Sequence, residues 1–265
     1  MKQRIVTGVI GGAVFVLMTV LGGWYYYGLL LLLAITGFGE YARMNGLRWH
    51  HPASLIGFAG MFVVLIPWDA LGLAQPNAIH TLWLLLFLLL TITVFTKNDM
   101  TIDGAALLLL GALYVGYGFH AMFEVRNADS HGLLMSCAAF GAIWASDIGA
   151  YFVGRTIGKH KLWPSISPNK TIEGSLGGVV LSMAVAVMFS FAAPDAIHLD
   201  KALMIGLVAA VAGQLGDLIQ SAYKRVRGIK DTGAILPGHG GVLDRCDSWL
   251  VVFPLLVMTG LVPLS

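Results

Sequence analysis

Long apolar runs alternate with short polar segments along almost the whole chain. A membrane-spanning helix needs about 20 mostly apolar residues, and on that rule the pattern predicts nine spans. The predicted spans cover residues 5–23, 24–44, 52–68, 80–96, 102–124, 131–154, 171–193, 203–223 and 242–262. The first run resembles a signal peptide, but it lacks a cleavage site of small residues and leads into a second run, so we interpret it as a retained helix. The predicted fold class is therefore all-α, a polytopic integral membrane protein.

The basic residues are unevenly divided between alternate connecting segments. With the N-terminus in the cytoplasm, the cytoplasmic segments and span ends carry 14 of the 16 lysines and arginines, and the other side keeps Arg126 and Lys201. Lysine and arginine accumulate on the cytoplasmic side of membrane proteins. This asymmetry predicts a cytoplasmic N-terminus, an odd number of spans and a bacterial-type inner-membrane location. It also places the basic segments 155–170 and 224–241 in the cytoplasm.

Composition agrees with a membrane protein. Hydrophobic residues make up 57% of the chain and charged residues 11%, and the mean hydropathy is +0.80, whereas about 25% of the residues of a soluble domain are charged. The net charge of +2 is too small to indicate a nucleic-acid partner. Cys137 and Cys246 lack metal-ligand spacing and predict no disulfide framework. Because the charged motifs lie in the second half, we divide the chain into scaffold helices, 1–130, and a catalytic region, 131–265.

Ionisable groups inside predicted spans are candidates for function, because burying a charge in the bilayer is costly. Six carboxylates qualify, namely Glu40, Asp147, Glu173, Asp217, Asp244 and Asp247. Glu40 stands three residues before Arg43, near a predicted helix end, and we interpret the two as a structural ion pair.

The first candidate block surrounds Asp147. Asp147, Tyr151 and Arg155 follow one another at a spacing of four residues, so they share one face of the predicted helix. Gly149 and Gly154 would let another backbone or a substrate approach that helix closely. A polar contact between packed helices is the alternative interpretation of this block.

The second block begins the seventh predicted span. Thr171 or Asn169 could cap that helix, and Glu173 lies in its first turn, where a negative charge is favourable. Capping does not explain Lys170, whose positive charge stands beside a helix N-terminus that already suits anions. Together with Ser167, these residues indicate a phosphate site.

The third block, residues 221–247, is the most charged stretch of the chain. One helical face carries Gln214, Asp217, Ser221 and Lys224. Asp244 and Asp247 are three residues apart. Adjacent carboxylates repel each other unless a cation lies between them. A Mg²⁺ ion that also takes phosphate oxygens would suit such a set. The alternative is a carboxylate cluster neutralised by Lys224 or Lys230.

A glycine-bearing loop lies between the charged ends of this block. His239 stands among glycines there, between Lys230-Asp231 and the carboxylate pair, where it could donate to a phosphate or act as a general acid. Gly240 and Gly241 would leave backbone amides open to phosphate oxygens.

The three blocks together resemble the family of phosphatidate cytidylyltransferases, the CDP-diacylglycerol synthases. The resemblance is carried by the run Ser221-x-x-Lys224-Arg225-x(4)-Lys230-Asp231-x-Gly233-x-x-Leu236-Pro237-x-His239-Gly240-Gly241-Val242-x-Asp244-Arg245-x-Asp247, and by the segments 146–155 and 167–174. It implies the reaction of CTP with phosphatidate to give CDP-diacylglycerol and pyrophosphate, in the presence of Mg²⁺ and with room for a second cation. It also implies membrane lipids as surroundings, and we expect a homodimer.

On this basis we assign expected roles. The expected metal ligands are Asp217, Asp244 and Asp247, and the expected catalytic residues are Lys224, Lys230, Asp231, His239 and Arg245. The expected substrate-binding residues are Asp147, Arg155, Ser167, Asn169, Lys170, Thr171, Glu173, Ser221, Arg225, Gly240 and Gly241.

Other classes of protein remain open at this point. A secondary transporter would also place carboxylates in its spans, although here they cluster at cytoplasmic span ends. A CTP-dependent polyprenol or phytol kinase is the alternative enzyme, and its product would carry phosphate without cytidine. The DGxxAR-type motif of CDP-alcohol phosphotransferases is absent from the sequence.

Overall fold

The computed structural model describes residues 2–128, 130–233, 235 and 240–262, with side chains from residue 6 onward. The helices are α1 (Lys2–Leu21), α2 (Gly23–Met44), α3 (Pro52–Leu65), α4 (Ala78–Phe95), α5 (Ile102–Asn127), α6 (Gly132–Ile157), α7 (Ile172–Ala192), α8 (Leu199–Val226), α9 (Leu243–Cys246) and α10 (Trp249–Met258). A 3-10 turn covers Asp69–Leu71, and two short strands are β1 (Lys161–Trp163) and β2 (Ser167–Thr171). The chain is therefore predominantly helical.

The helices follow the predicted apolar runs closely. Each of the first eight predicted spans coincides with one helix, and the ninth is divided into α9 and α10. Five helices in the described part of the chain, α4 to α8, are long and apolar enough to cross a membrane. Shorter apolar helices cover Val6–Leu21, Pro52–Leu65 and Trp249–Met258. These features are those of a polytopic membrane protein.

A glycine corner separates α1 from α2, where the first two predicted spans meet. Gly22 and Gly23 have φ angles of +66° and +50°, a region that glycine enters without steric cost. The end of α5 holds this corner. The Arg126 guanidinium donates to the Val20 carbonyl at 2.9 Å, and the Asn127 side chain accepts from the Gly23 amide at 3.2 Å.

The segment between α6 and α7 differs from the all-α prediction. Residues predicted as a cytoplasmic loop form an antiparallel hairpin in which Lys161 pairs with Thr171 and Trp163 with Ser167. The strands have three and five residues, which is too short for a period-two pattern to be recognised in the sequence. The hairpin carries Lys170 towards the helices.

Helices α6 and α7 pack almost backbone to backbone. A Cβ atom added at Gly149 would lie 2.8 Å from the Gly177 carbonyl oxygen, and one at Gly174 would lie 2.6 Å from the Ala150 carbonyl oxygen. The predicted close approach at Gly149 is therefore confirmed, and the partner is another helix. This contact aligns the α6 residues that follow Asp147 with the start of α7.

The two halves of the chain share one apolar core. Helix α5 packs against α2, α3 and α4 and also against α6 and α10. Phe119 on α5 and Phe253 on α10 are both fully buried in that core. The division into 1–130 and 131–265 stays a prediction. Through α5, the first half of the chain packs directly against helices of the second half.

Candidate active site

A cavity of about 580 Å³ lies between α6, α7, α8, the hairpin and the α9–α10 segment. The described residues that line it are Asp147, Ala150, Tyr151, Gly154, Arg155, Leu162, Asn169, Lys170, Thr171, Gly174, Ser175, Gln214, Asp217, Asp244, Asp247 and Ser248. The three charged blocks of the sequence therefore meet at one place. Eight of the residues expected to bind substrate or metal line this cavity, namely Asp147, Arg155, Asn169, Lys170, Thr171, Asp217, Asp244 and Asp247.

The α6 wall is formed by the predicted face. Asp147, Tyr151 and Arg155 all line the cavity. The Arg155 guanidinium donates to the Tyr151 hydroxyl at 2.9 Å and lies 6.0 Å from the centre of the Tyr151 ring. Tyr151 thus orients the Arg155 guanidinium, and Asp147 lies two turns earlier on the same face of α6.

Lys170 and Asp217 form an ion pair across the cavity. The Lys170 ammonium lies 2.6 Å from Asp217 Oδ2, with the two side chains 25% and 39% exposed. Asp217 Oδ1 accepts a hydrogen bond from the Ser221 hydroxyl at 3.3 Å. Because both members of the pair remain open to solvent, the lysine can exchange this carboxylate for a phosphate.

The start of α7 is held by two side chains of the second block. Thr171 caps the helix, since its hydroxyl accepts from the Gly174 amide at 3.1 Å, as predicted. Glu173 accepts from the His160 ring at 2.6 Å and from the backbone amides of Lys159 and His160 at 3.1–3.3 Å. In the structure Glu173 therefore fastens the beginning of the hairpin, and its expected contact with substrate stays a prediction.

Lys224 and Asp244 form a second ion pair, which is buried. Their N···O distance is 2.6 Å, and the side chains are 12% and 6% exposed. Asp244 Oδ2 also accepts from the Thr232 amide at 2.8 Å, the Thr232 hydroxyl at 3.0 Å and the Gly241 amide at 2.9 Å. Lys224 thus neutralises the Asp244 carboxylate, and two backbone amides and a hydroxyl complete its hydrogen bonds.

Glu40 on α2 contacts Thr232 and the residues that follow Gly241. The sequence had instead predicted an ion pair between Glu40 and Arg43. The Glu40 oxygens accept from the Val242 and Leu243 amides at 3.0 Å each and from the Thr232 hydroxyl at 3.2 Å. Among the ion pairs between described residues, none joins Glu40 to Arg43. The prediction was wrong because the partner groups are backbone amides about two hundred residues away, with the Val242 amide 202 positions from Glu40.

Asp247 completes the carboxylate side of the cavity. Its Oδ1 accepts from the Ser248 amide at 2.7 Å. Asp147, Asp217 and Asp247 all line the cavity. These three carboxylates share it with Asp244.

The donor set fits a cation that keeps part of its water shell. In the part of the chain that the structure describes, no group of three acidic, histidine or cysteine side chains is close enough to enclose a metal ion. Mg²⁺ usually binds one or two protein carboxylates and completes its shell with water and substrate phosphates. Asp217 and Asp247, which line the same cavity, match that requirement.

A buried polar cluster connects α6, α7 and α8 at the wall of the cavity and was missed by the sequence reasoning. Gln214 on α8 donates to the Ser146 hydroxyl at 3.2 Å and accepts from the Ser175 hydroxyl. Gln214 is 8% exposed and Ser146 2% exposed. The available signal was the position of Gln214 on the same helical face as Asp217, three residues earlier. The cluster fixes α6, α7 and α8 relative to one another.

Several residues with expected catalytic or binding roles lie outside the described cavity lining. Arg225 donates to the Ile166 carbonyl at 3.3 Å and so joins α8 to the hairpin. Lys230 and Asp231 are exposed in the segment after α8, and Arg245 is exposed on α9. Their expected roles in catalysis stay predictions.

The glycine-bearing loop is described in part. Gly240 has a φ of +84°, and an added Cβ would lie 2.8 Å from Asp244 Oδ2. A side chain at Gly240 would therefore both strain the backbone and press on that carboxylate. His239, expected to act as a phosphate donor or acid, lies outside the described residues, as do Ala234 and 236–238.

Comparison with known proteins covers the whole chain. The sequence model of the Cytidylyltransferase family matches residues 2–262. Over 259 residues the chain is 42% identical to the phosphatidate cytidylyltransferase of Bacillus subtilis (strain 168), with 97% of this chain and 96% of that protein covered. It is 40% identical over 256 residues to the protein of that name from Staphylococcus saprophyticus, with 97% of each covered. The chain belongs to the cytidylyltransferase family.

Proposed function

We propose that this protein transfers a cytidylyl group from CTP to phosphatidate, giving CDP-diacylglycerol and pyrophosphate in phospholipid biosynthesis. The observation that carries the proposal is the one cavity that is lined by a lysine, an arginine and four carboxylates from distant segments. The names of the similar bacterial proteins supply the substrates, because the residues alone indicate phosphate chemistry without naming the nucleotide or the lipid.

In the proposed reaction, a phosphate oxygen of phosphatidate attacks the α-phosphorus of CTP, and the bond to the β-phosphate oxygen breaks. The attacking oxygen is already anionic at neutral pH, so the site needs no strong general base. Catalysis would rest on positioning and on neutralising charge. Lys170 and Arg155, which line the cavity, would hold phosphate oxygens, and Lys170 would leave Asp217 as it does so.

The three expected ligands would serve Mg²⁺ in different ways. Asp217 and Asp247 would hold it directly. Asp244 already accepts four hydrogen bonds, so it would act mainly by fixing the loop beside the ion. Bound Mg²⁺ would withdraw charge from the phosphate oxygens. A second cation has room in a cavity of about 580 Å³.

We further propose nine spans, a cytoplasmic N-terminus and a site that faces the cytoplasm. The site residues lie near the end of α6, the start of α7 and the end of α8, beside the two basic segments. The diacyl chains would remain in the bilayer while CTP arrives from the cytoplasm. A location in the bacterial inner membrane agrees with the bacterial relatives. The expected homodimer remains part of the proposal and is tested by the mass of the purified protein in nanodiscs.

The deciding experiment uses purified protein in detergent with phosphatidate, Mg²⁺ and CTP carrying label either in the cytidine or in the γ-phosphate. We expect cytidine label in the organic phase and γ-label in aqueous pyrophosphate. γ-label in the lipid would indicate a kinase instead. Substrate uptake by proteoliposomes without any labelled lipid would indicate a transporter.

The metal assignment has its own test. Asp217→Asn and Asp244→Asn are compared with the unaltered protein over a series of Mg²⁺ concentrations. We expect Asp217→Asn to need at least about tenfold more Mg²⁺ for half-maximal rate, and Asp244→Asn to lower the maximal rate. Wild-type curves for both variants would refute the assignment.

A further inference from the structure

Glu40 is a buried carboxylate in the half of the chain that the sequence assigned to scaffold helices. It is 1% exposed. Its Oε1 accepts from the Val242 amide and its Oε2 from the Leu243 amide, both at 3.0 Å. These amides begin α9, where the first backbone N–H groups of a helix have no acceptor within the helix. Glu40 therefore supplies from α2 the acceptors that this turn needs.

Thr232 connects Glu40 to Asp244. Its hydroxyl lies 3.2 Å from Glu40 Oε2 and 3.0 Å from Asp244 Oδ2, and the residue is 6% exposed. A hydroxyl carries one proton and donates to one carboxylate at a time. The two buried carboxylates thus share a single donor, so the position of one is coupled to the position of the other.

The loop backbone closes around the Glu40 carboxylate from two sides. A Cβ added at Gly241 would lie 2.5 Å from Glu40 Oε2, and one added at Gly233 would lie 2.8 Å from Glu40 Cδ. Both glycines are therefore required for the backbone to approach so closely. The Gly241 amide that borders this contact is also the one that donates to Asp244 at 2.9 Å.

We propose that Glu40 is a positioning residue for cytidylyl transfer, an inference that rests on the proposed function. It holds the start of α9 and Thr232, and through them it fixes Asp244 and the Gly241 amide at the cavity. It acts without touching substrate. Helix α2 is thereby part of the catalytic apparatus.

Two substitutions of Glu40 separate the effect of its charge from the effect of its side-chain length. Glu40→Gln keeps the size of the side chain but turns an N–H group towards one of the three donors, so a donor faces a donor. Glu40→Asp keeps the charge but is one methylene shorter, so it cannot reach all three donors. We expect Glu40→Gln to lower kcat by about 10–100-fold, which is the usual effect of losing a residue that orients a binding residue. We expect the rate of Glu40→Asp to lie between those of Glu40→Gln and the unaltered protein.

Tyr41→Phe is the matched control. Tyr41 is the next residue on α2 and is 3% exposed, and its hydroxyl accepts from Tyr223 at 3.0 Å. The substitution removes a buried polar group of the same helix without altering the bonds of Glu40. We expect kcat to stay within about twofold of that of the unaltered protein. The substitution removes only the contact with Tyr223 and leaves the hydrogen bonds between Glu40, Thr232 and the start of α9 in place.

The first measurement is hydrogen exchange of the backbone in nanodiscs, which does not depend on activity. In Glu40→Gln we expect faster exchange over residues 240–246 and unchanged exchange over α6. Tyr41→Phe should exchange like the unaltered protein. Equal exchange in Glu40→Gln and in the unaltered protein would overturn the proposal. If Glu40→Gln does not fold, Thr232→Val replaces it, with the same expectation.

The second measurement is the rate of cytidine incorporation as a function of each substrate. We expect lower kcat and higher KM for CTP in Glu40→Gln, an unchanged KM for phosphatidate, and a non-additive effect when Thr232→Val is added. If Glu40→Gln shows faster hydrogen exchange over residues 240–246 but a wild-type kcat, the positioning role is refuted. If the unaltered protein forms no cytidine-labelled lipid, the proposed function fails, while the exchange result still decides whether Glu40 anchors the loop.

Discussion

Two lysine–aspartate pairs belong to the candidate site, and they have the same N···O distance of 2.6 Å. The pair of Lys170 and Asp217 is 25% and 39% exposed, whereas the pair of Lys224 and Asp244 is 12% and 6% exposed. Lys170 is carried by the hairpin and Lys224 by the end of α8. The pairs thus share their chemistry and differ in their surroundings.

Burial decides what each pair can do. A solvent-exposed ion pair contributes about 0–1 kcal/mol, so Lys170 can leave Asp217 for a phosphate at little cost. Removing one member of a buried pair costs about 3–5 kcal/mol, because the other charge remains in a poor solvent. Lys224 and Asp244 are therefore suited to hold the loop in place, and Lys170 and Asp217 are suited to exchange partners during a reaction.

The largest expected effect is that of Lys224→Met. The variant should lose about 3–5 kcal/mol of unfolding free energy together with its activity, because it leaves the buried Asp244 carboxylate without this cation. Thermal unfolding in detergent and cytidine incorporation measure the two losses. Lys224→Arg, which keeps the charge, is the control. An unchanged unfolding midpoint in Lys224→Met would contradict the structural role.

Lys170→Met should have a large effect on activity and a small one on stability. We expect kcat to fall by about 100-fold, as when one donor to a developing charge is removed. The unfolding free energy should change by less than about 1 kcal/mol. Lys170→Arg should recover part of the rate. If Lys170→Met unfolds as easily as Lys224→Met, the distinction between the two pairs fails.

The smallest expected effect is that of Ser221→Ala. The Ser221 hydroxyl donates to Asp217 at 3.3 Å, and a single hydrogen bond of this kind contributes about 0.5–1.5 kcal/mol. We expect kcat to fall by about tenfold or less, with the same unfolding midpoint. Initial rates at saturating CTP measure it. A loss as large as that of Lys170→Met would mean that Ser221 contacts substrate itself.

Much of the helical architecture could be predicted because hydropathy is a local property. Each of the first eight apolar runs became one helix, and the α1–α2 corner lies where the first two predicted spans meet. The hairpin could not be predicted in this way, since its strands of three and five residues are stabilised by their pairing and by Glu173. The ninth run was divided at Ser248, whose amide bonds to the Asp247 carboxylate.

The candidate site was predicted as a set of residues but not as a set of contacts. The charged blocks around Asp147, Lys170 and Asp217 are visible in the sequence because charges are rare among apolar residues, and all three side chains line the cavity. The roles of Glu40 and Gln214 were not visible. Their partners lie in segments far away in the sequence, and no local pattern records them.

The sequence by itself determined the class of protein, the order of the helices and the inventory of charged groups, because each depends on neighbouring residues. The tertiary structure alone decided which lysine meets which aspartate and which pair is buried. It also decided that a glutamate of α2 holds the loop around Thr232. These choices depend on how helices pack, and packing brings together groups as much as 203 positions apart in the chain.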